Sequence, residues 1–195
     1  MSVPPPLPES TRAVVLVEGR SDRAAIETLA TRRGLDLAAD GVAVVAMGGI
    51  TLLGRHLAVY GPEGHDLEVT GLYDAGEERV VRRALTRAGL GADLDREQLA
   101  ERGFHVCVDD LEDELIRALG TEAVEAVVAA EGELAAFRTM QRQPAQRDRH
   151  LAAQLRRFLG TRSGRKVRYG TLLVEAAVDA ARVPEPLESV LARVR

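Results

Sequence analysis

Residues 14–22 read Val-Val-Leu-Val-Glu-Gly-Arg-Ser-Asp: an apolar β-branched run stops at one carboxylate, Glu18, and a second, Asp22, follows four residues later. The pattern predicts a buried parallel strand, a tight turn and the first turn of a helix. Glu18 then sits at the carboxyl edge of a sheet, where open α/β folds keep their ligands. Asp22 faces it from the helix, close enough to share a cation. Plain capping by Ser21 or Asp22 would explain these residues alone, but the pattern recurs. Residues 67–74 read Leu-Glu-Val-Thr-Gly-Leu-Tyr-Asp and lead into Ala75-Gly76-Glu77-Glu78. A third acidic group, Asp110 to Glu114, follows the apolar run Phe104–Val108. Carboxylates gathered at one edge repel each other unless cations stand among them. Magnesium suits such a place, since it prefers carboxylate oxygens and water and bridges protein to phosphate. Two such ions about 4 Å apart can stabilise both the attacking and the leaving oxygen of an in-line displacement.

Lys166 is the one lysine among 26 basic residues. A compact ammonium can approach a single phosphate oxygen as a point charge, which a planar guanidinium does not do in the same way. Lys166 lies in a basic arm. Residues 138–168 carry ten basic side chains against one acid, Asp148, whereas residues 1–137 carry 13 basic and 25 acidic ones. An acidic body with a basic arm suits an enzyme that acts on a polyanion, the metal screening the acids and the arm holding phosphates. A solvated arginine-rich helical face is the blander account of the same run. Arg156, Arg157, Arg162, Arg165 and Arg168 are the candidate nucleic-acid contacts, with Lys166 among them.

Other residues offer less. Ser21 has no histidine positioned by sequence to activate it as a nucleophile. Tyr73 falls inside a strand and reads as packing. His56, His65, His105 and His150 form no metal-ligand pattern. Gly160 to Lys166 has the wrong spacing for a phosphate loop, and no strand precedes it. Gly48-Gly49 reads as a turn.

The elements that must hold these residues alternate. Strands are expected at 13–17, 42–46, 67–73 and 104–108, with helices near 20–33, 51–60 and 77–88. This β-α repetition implies a parallel sheet of about four strands covered on both faces. From Asp110 only helical periodicity remains, over 111–119, 122–131, 133–140, 147–159 and 168–181, with Pro184 and Pro186 ending the last. The expected division is a proline-rich disordered leader over 1–10, an α/β domain over 11–120, and a helical C-terminal extension over 121–195 that contains the basic arm. Composition adds limits. Aromatics are 3% of the chain and tryptophan is absent, so the core must be aliphatic. Cys107 is the single cysteine, which excludes an intrachain disulfide and fits a cytoplasmic location. No apolar run approaches a membrane span.

These motifs resemble a known family. Glu18-Gly19-Arg20-Ser21-Asp22 is similar to the first motif of TOPRIM domains, in the version carried by the OLD (overcoming lysogenisation defect) nucleases. Gly71-Leu72-Tyr73-Asp74 is similar to their aspartate strand, Asp110-Leu111-Glu112-Asp113-Glu114-Leu115 to their third acidic motif, and Gly164-Arg165-Lys166-Val167-Arg168 to their C-terminal lysine motif. The resemblance implies a TOPRIM, Rossmann-like fold and a nuclease using two divalent ions, Mg2+ or Mn2+. It implies metal ligation by Glu18, Asp22, Asp74 and Glu112, with Asp110 or Glu114 as substitutes for Glu112, and a catalytic Lys166 facing the scissile phosphate. The family's strand end is Asp-x-Asp. Here Gly76 stands in the second place, so Glu77 or Glu78 must reach back. The chain also lacks room for the ATPase domain usual in OLD proteins, and a separate ATPase partner is compatible with that. DNA is the expected substrate, and a dimer is compatible with the sequence. A TOPRIM module with a weakened metal site and a TOPRIM-type RNA-processing enzyme are the competing readings.

Overall fold

The computed structural model describes residues 4–161 and 163–195, with the backbone alone at Ser163. Four strands, β1 (Ala13–Val17), β2 (Val42–Ala46), β3 (Glu68–Asp74) and β4 (Phe104–Cys107), form one parallel sheet in the order β2-β1-β3-β4. All five residues of β1 are buried, as a central strand covered on both faces must be.

Helix α1 (Arg20–Arg32) follows β1, α2 (Leu53–Tyr60) follows β2, and α3 (Glu78–Arg87) follows β3. Helix α1 packs Ala25, Ile26 and Leu29 into one aliphatic core, whereas α3 packs Val81, Ala84 and Leu85 into the core on the other face. The connections leaving the adjacent strands β1 and β3 therefore diverge to opposite sides of the sheet. That divergence opens a crevice at their carboxyl ends, where Glu18 and Asp74 stand.

Helix α4 (Arg96–Glu101) precedes β4, and α5 (Leu111–Leu119), α6 (Thr121–Ala130), α7 (Leu134–Gln141), α8 (Leu151–Leu159), α9 (Ser163–Asp179) and α10 (Glu185–Arg193) complete the chain. The helices after residue 120 share the α1-side core: Val124, Phe137, Leu155, Leu173 and Leu187 belong to the same apolar cluster as Val15 and Ile26.

Several expectations shift. Helix α9 begins at Ser163, so Lys166 is helical. The polar loop before β4 contains α4, whose start is a capping box: Asp95 accepts from the Gln98 N–H and the Gln98 side chain accepts from the Asp95 N–H, each at 2.9 Å. Pro184 and Pro186 do more than end a helix. They open α10, since a helix's first turn needs no intrahelical N–H bond. The described part of the leader is packed rather than free: Pro4 is buried, and the Tyr60 hydroxyl donates to the Pro5 carbonyl at 2.5 Å. No described helix is long and apolar enough to cross a membrane.

Candidate functional site

Glu18 follows the last residue of β1 and is half-buried at the sheet edge. The chain turns at Gly19, and Asp22 Oδ2 accepts the Gly19 N–H at 2.8 Å. Asp22 thus caps α1, and its favourable place near the helix N-terminus is that of an acid in a first turn. On the other side, the Gly48 and Gly49 N–H groups donate to the Glu18 carbonyl at 2.9 and 3.2 Å. Their φ values of 82° and 127° lie where side chains other than hydrogen are strained. The glycine pair is a turn, as expected, and it also fixes the end of β1.

Asp74 ends β3 beside Cys107 of β4. A 3₁₀ turn over Ala75–Glu77 then reverses the chain. Gly76 projects no carboxylate, but Glu77, one residue later and one methylene longer, does return to the cleft. Carboxylate oxygens of Glu18, Asp74 and Glu77 all lie within 4.8 Å of one another. Glu77 Oε2 is buried without a hydrogen-bond partner among the described residues. Three hard oxygen donors, one left unsatisfied out of water, fit a divalent cation of the magnesium type.

The third acidic motif opens α5. Asp110 caps that helix: its Oδ1 accepts the Asp113 N–H at 2.8 Å and its Oδ2 accepts from Arg156 Nε at 2.7 Å. Glu112 is buried and faces Lys166, with Nζ 3.2 Å from Oε2. Glu18, Asp22, Asp74, Asp110 and Lys166 line one cleft of about 760 Å³ together with Arg20, which the motif reading passed over.

Two expected substitutes are engaged elsewhere. Glu78 pairs with Arg82 at 2.5 Å and Arg96 at 2.7 Å. Glu114 accepts the Val108 N–H at 2.7 Å and pairs with Arg117. Of the four residues held in reserve, Glu77 reaches the cluster, and Asp110 reaches the cleft already paired.

Electrostatics follow from this crowding. Burial, then the charges of Asp110, Glu18, Glu77 and Asp22, push the Asp74 carboxyl up to about 7. Burial, then Glu18 and Asp22, also raises Glu77. Asp22 is raised by burial against the pull of the Gly19 N–H and Lys166. Burial lifts Glu112 to about 6 despite the neighbouring Lys166. Burial alone would lower Lys166, but Glu112 and Asp22 outweigh it and hold the ammonium above its ordinary value. Within the pair, each partner favours the charged form of the other.

Lys166 reaches the cleft because α9 lies close against α1. A Cβ on Gly170, one turn past Lys166, would stand 3.0 Å from the Ser21 carbonyl oxygen. The sequence offers no local signal for Gly170, because its need comes from a helix almost 150 residues away.

The basic arm departs most from expectation. Arg165, expected at a nucleic-acid face, is mostly buried over the Phe158 ring and pairs with Glu133 at 2.8 Å. Glu133 also accepts from the Tyr169 hydroxyl at 2.9 Å. Arg168 pairs with Glu131, and Arg156 with Asp110 and Asp109. These arginines pair with acids of the chain itself. Arg157 is exposed on α8, and Arg162 lies outside the described residues.

The fold has counterparts among known proteins. Residues 11–74 match the family model described as "Overcoming lysogenization defect protein-like, TOPRIM domain". No curated protein matches the chain. Among solved structures, the C-terminal region of the Xanthomonas campestris pv. campestris OLD protein is 26% identical with a TM-score of 0.69, covering 94% of this chain and 92% of that one. The C-terminal region of the Burkholderia pseudomallei OLD protein is 23% identical with a TM-score of 0.66, covering 95% and 97%, a likeness of fold. Residues 11–74 thus carry the match to an OLD-like TOPRIM domain, and over nearly its whole length the chain resembles in fold the C-terminal region of OLD proteins.

Proposed function

We propose that the chain is a divalent-metal-dependent nuclease, with DNA as its substrate and Mg2+ or Mn2+ as its cofactor. The observation that carries this reading is the meeting of Glu18, Asp74 and Glu77, with Glu77 Oε2 unpartnered, in a cleft whose wall bears Lys166. A divalent ion bound there supplies charge to polarise a phosphoryl oxygen and activate water.

The chain's own residues do the rest. Glu18 and Asp74 would hold the metal from fixed strand ends, so little reorganisation would be needed when substrate arrives. Lys166, kept protonated by Glu112 and Asp22, presents an ammonium to negative charge that develops on a phosphate or departing oxygen. Arg20 lines the same cleft and offers a fork that suits a flanking phosphate. The competing reading of a decayed metal site drew on the missing second aspartate. Glu77 in the adjacent position weighs against it.

The test is plasmid nicking with Mg2+ or Mn2+, run with Glu18→Gln and Glu77→Gln beside the wild type. The expected outcome is metal-dependent cleavage lost in both variants, with circular dichroism unchanged. Cleavage by Glu18→Gln at the wild-type rate would reduce Glu18 to a structural acid. A parallel assay on RNA separates the RNA-processing alternative: preferential cleavage of RNA reassigns the substrate.

A further inference from the structure

The cleft's carboxylates fall into two groups that differ in their partners. Glu18, Asp74 and Glu77 lie together, and none of them pairs with a cation or accepts a hydrogen bond on its side chain among the described residues. Asp110 and Glu112, the acids of the α5 wall, are already matched. Both Asp110 oxygens are engaged, one by the Asp113 N–H and the other by the Arg156 guanidinium at 2.7 Å. Glu112 faces the Lys166 ammonium at 3.2 Å. Asp22, between the two groups, has one oxygen on the Gly19 N–H and the other 3.4 Å from the Ser21 hydroxyl.

Two unit cations therefore stand where two carboxylates would otherwise call for a divalent ion. Magnesium demands a near-octahedral shell at about 2.0–2.1 Å, and at Asp110 Oδ2 it would compete with a guanidinium that already offsets the carboxylate's charge and fixes its direction. Arginine is always charged and more weakly hydrated than an ammonium, so it keeps such a partner well in a partly buried place. Resting on the reading of the cleft as a metal site, we propose that this chain binds one divalent ion, on Glu18, Asp74 and Glu77, and that Arg156 and Lys166 supply the positive charge of a second ion at Asp110 and Glu112. Arg156 is then a positioning residue that closes the second place, and it leaves Arg157 as the arginine of that pair free to face solvent.

The test counts ions on the intact chain without substrate. Manganese is titrated in, and the loss of the free-ion electron paramagnetic resonance signal is followed, with calorimetry in parallel. The wild type is expected to take up one ion. Arg156→Gln frees Asp110 and should take up two. Arg156→Lys keeps the charge and should remain at one. The double variant Asp110→Asn with Arg156→Gln should return to one, which separates a new ligand from a general gain in negative charge. The Arg156 side chain is more than one-third exposed, and circular dichroism checks that each variant is folded. Two ions of similar affinity in the wild type would overturn the inference and leave the metal reading standing. A folded Arg156→Gln that stays at one, or an Arg156→Lys that matches it at two, overturns the inference as well. No manganese uptake at all overturns the metal reading and the inference with it.

Discussion

The Lys166 ammonium stands 3.2 Å from Glu112, a carboxylate 95% withdrawn from solvent at its side chain. A pair this close to a water-poor wall is oriented by burial rather than by chance collision. The ammonium is consequently held at the cleft rim before any substrate is present.

Lys166→Ala should therefore lower turnover far more than affinity. Loss of one donor to developing negative charge costs about 100-fold or more in turnover, while one partly exposed ion pair contributes ~1 kcal/mol or less to binding. Single-turnover cleavage and equilibrium DNA binding, measured side by side, check this. Equal losses in both would make Lys166 an ordinary phosphate contact.

The crowding at Asp74 gives a pH prediction with a definite sign. Its folded-state value of about 7 lies above its ordinary value of 3.8. Without metal, the folded chain binds this proton more tightly than the unfolded chain does. The associated stabilisation is present below about pH 4 and is lost as pH rises toward 7. Glu112, lifted to about 6, acts in the same direction. Metal must displace the Asp74 proton, so manganese affinity should fall as pH drops below 7. In thermal melts, Asp74→Asn should gain on the metal-free wild type as pH rises from 5 to 7.5. A constant difference across that range would contradict the shift.

Gly170→Ala tests the contact that delivers Lys166. The added methyl would stand 3.0 Å from the Ser21 carbonyl oxygen, so α9 must move off α1. Overpacking of this kind costs about 1–3 kcal/mol, readable as a lower urea midpoint. Turnover should fall with it, while manganese stoichiometry stays unchanged because Glu18, Asp74 and Glu77 are not on α9.

The arginines of the basic arm should separate by environment. Arg165→Ala removes a guanidinium that bonds Glu133 and covers the Phe158 ring. It should destabilise the fold and leave the salt dependence of DNA binding unchanged. Arg157→Ala should leave stability unchanged and reduce that dependence by about 0.9 log unit per log unit of salt, the amount for one phosphate on duplex DNA. Salt titrations of binding, with melts of the same variants, distinguish the two patterns.

What could be read from the sequence follows the range over which each residue is determined. Glu18 and Asp74 are legible because a buried strand ending in an acid is a local pattern, and the sheet edge follows from β-α alternation. Glu77 could be named only as one of two substitutes. The choice between it and Glu78 depends on a 3₁₀ turn and on Arg96, 18 residues further along, which draws Glu78 away. Arg165 and Arg168 read as a binding face because their acidic partners, Glu133 and Glu131, lie more than 30 residues earlier. Helix α10 is obscured by prolines whose usual role is to stop helices, while the same rigidity suits a first turn. Gly170 carries no local sign at all.

The pairing of Asp110 with Arg156 has a consequence for the chain as it is made. These residues are 46 positions apart. At a synthesis rate of about 5–20 residues per second, the acidic wall leaves the ribosome roughly 2–9 s before the guanidinium that neutralises it. During that interval Asp110 is without the arginine that bonds it in the folded chain. The guanidinium that bonds Asp110 thus reaches the acidic wall only when α8 has been made.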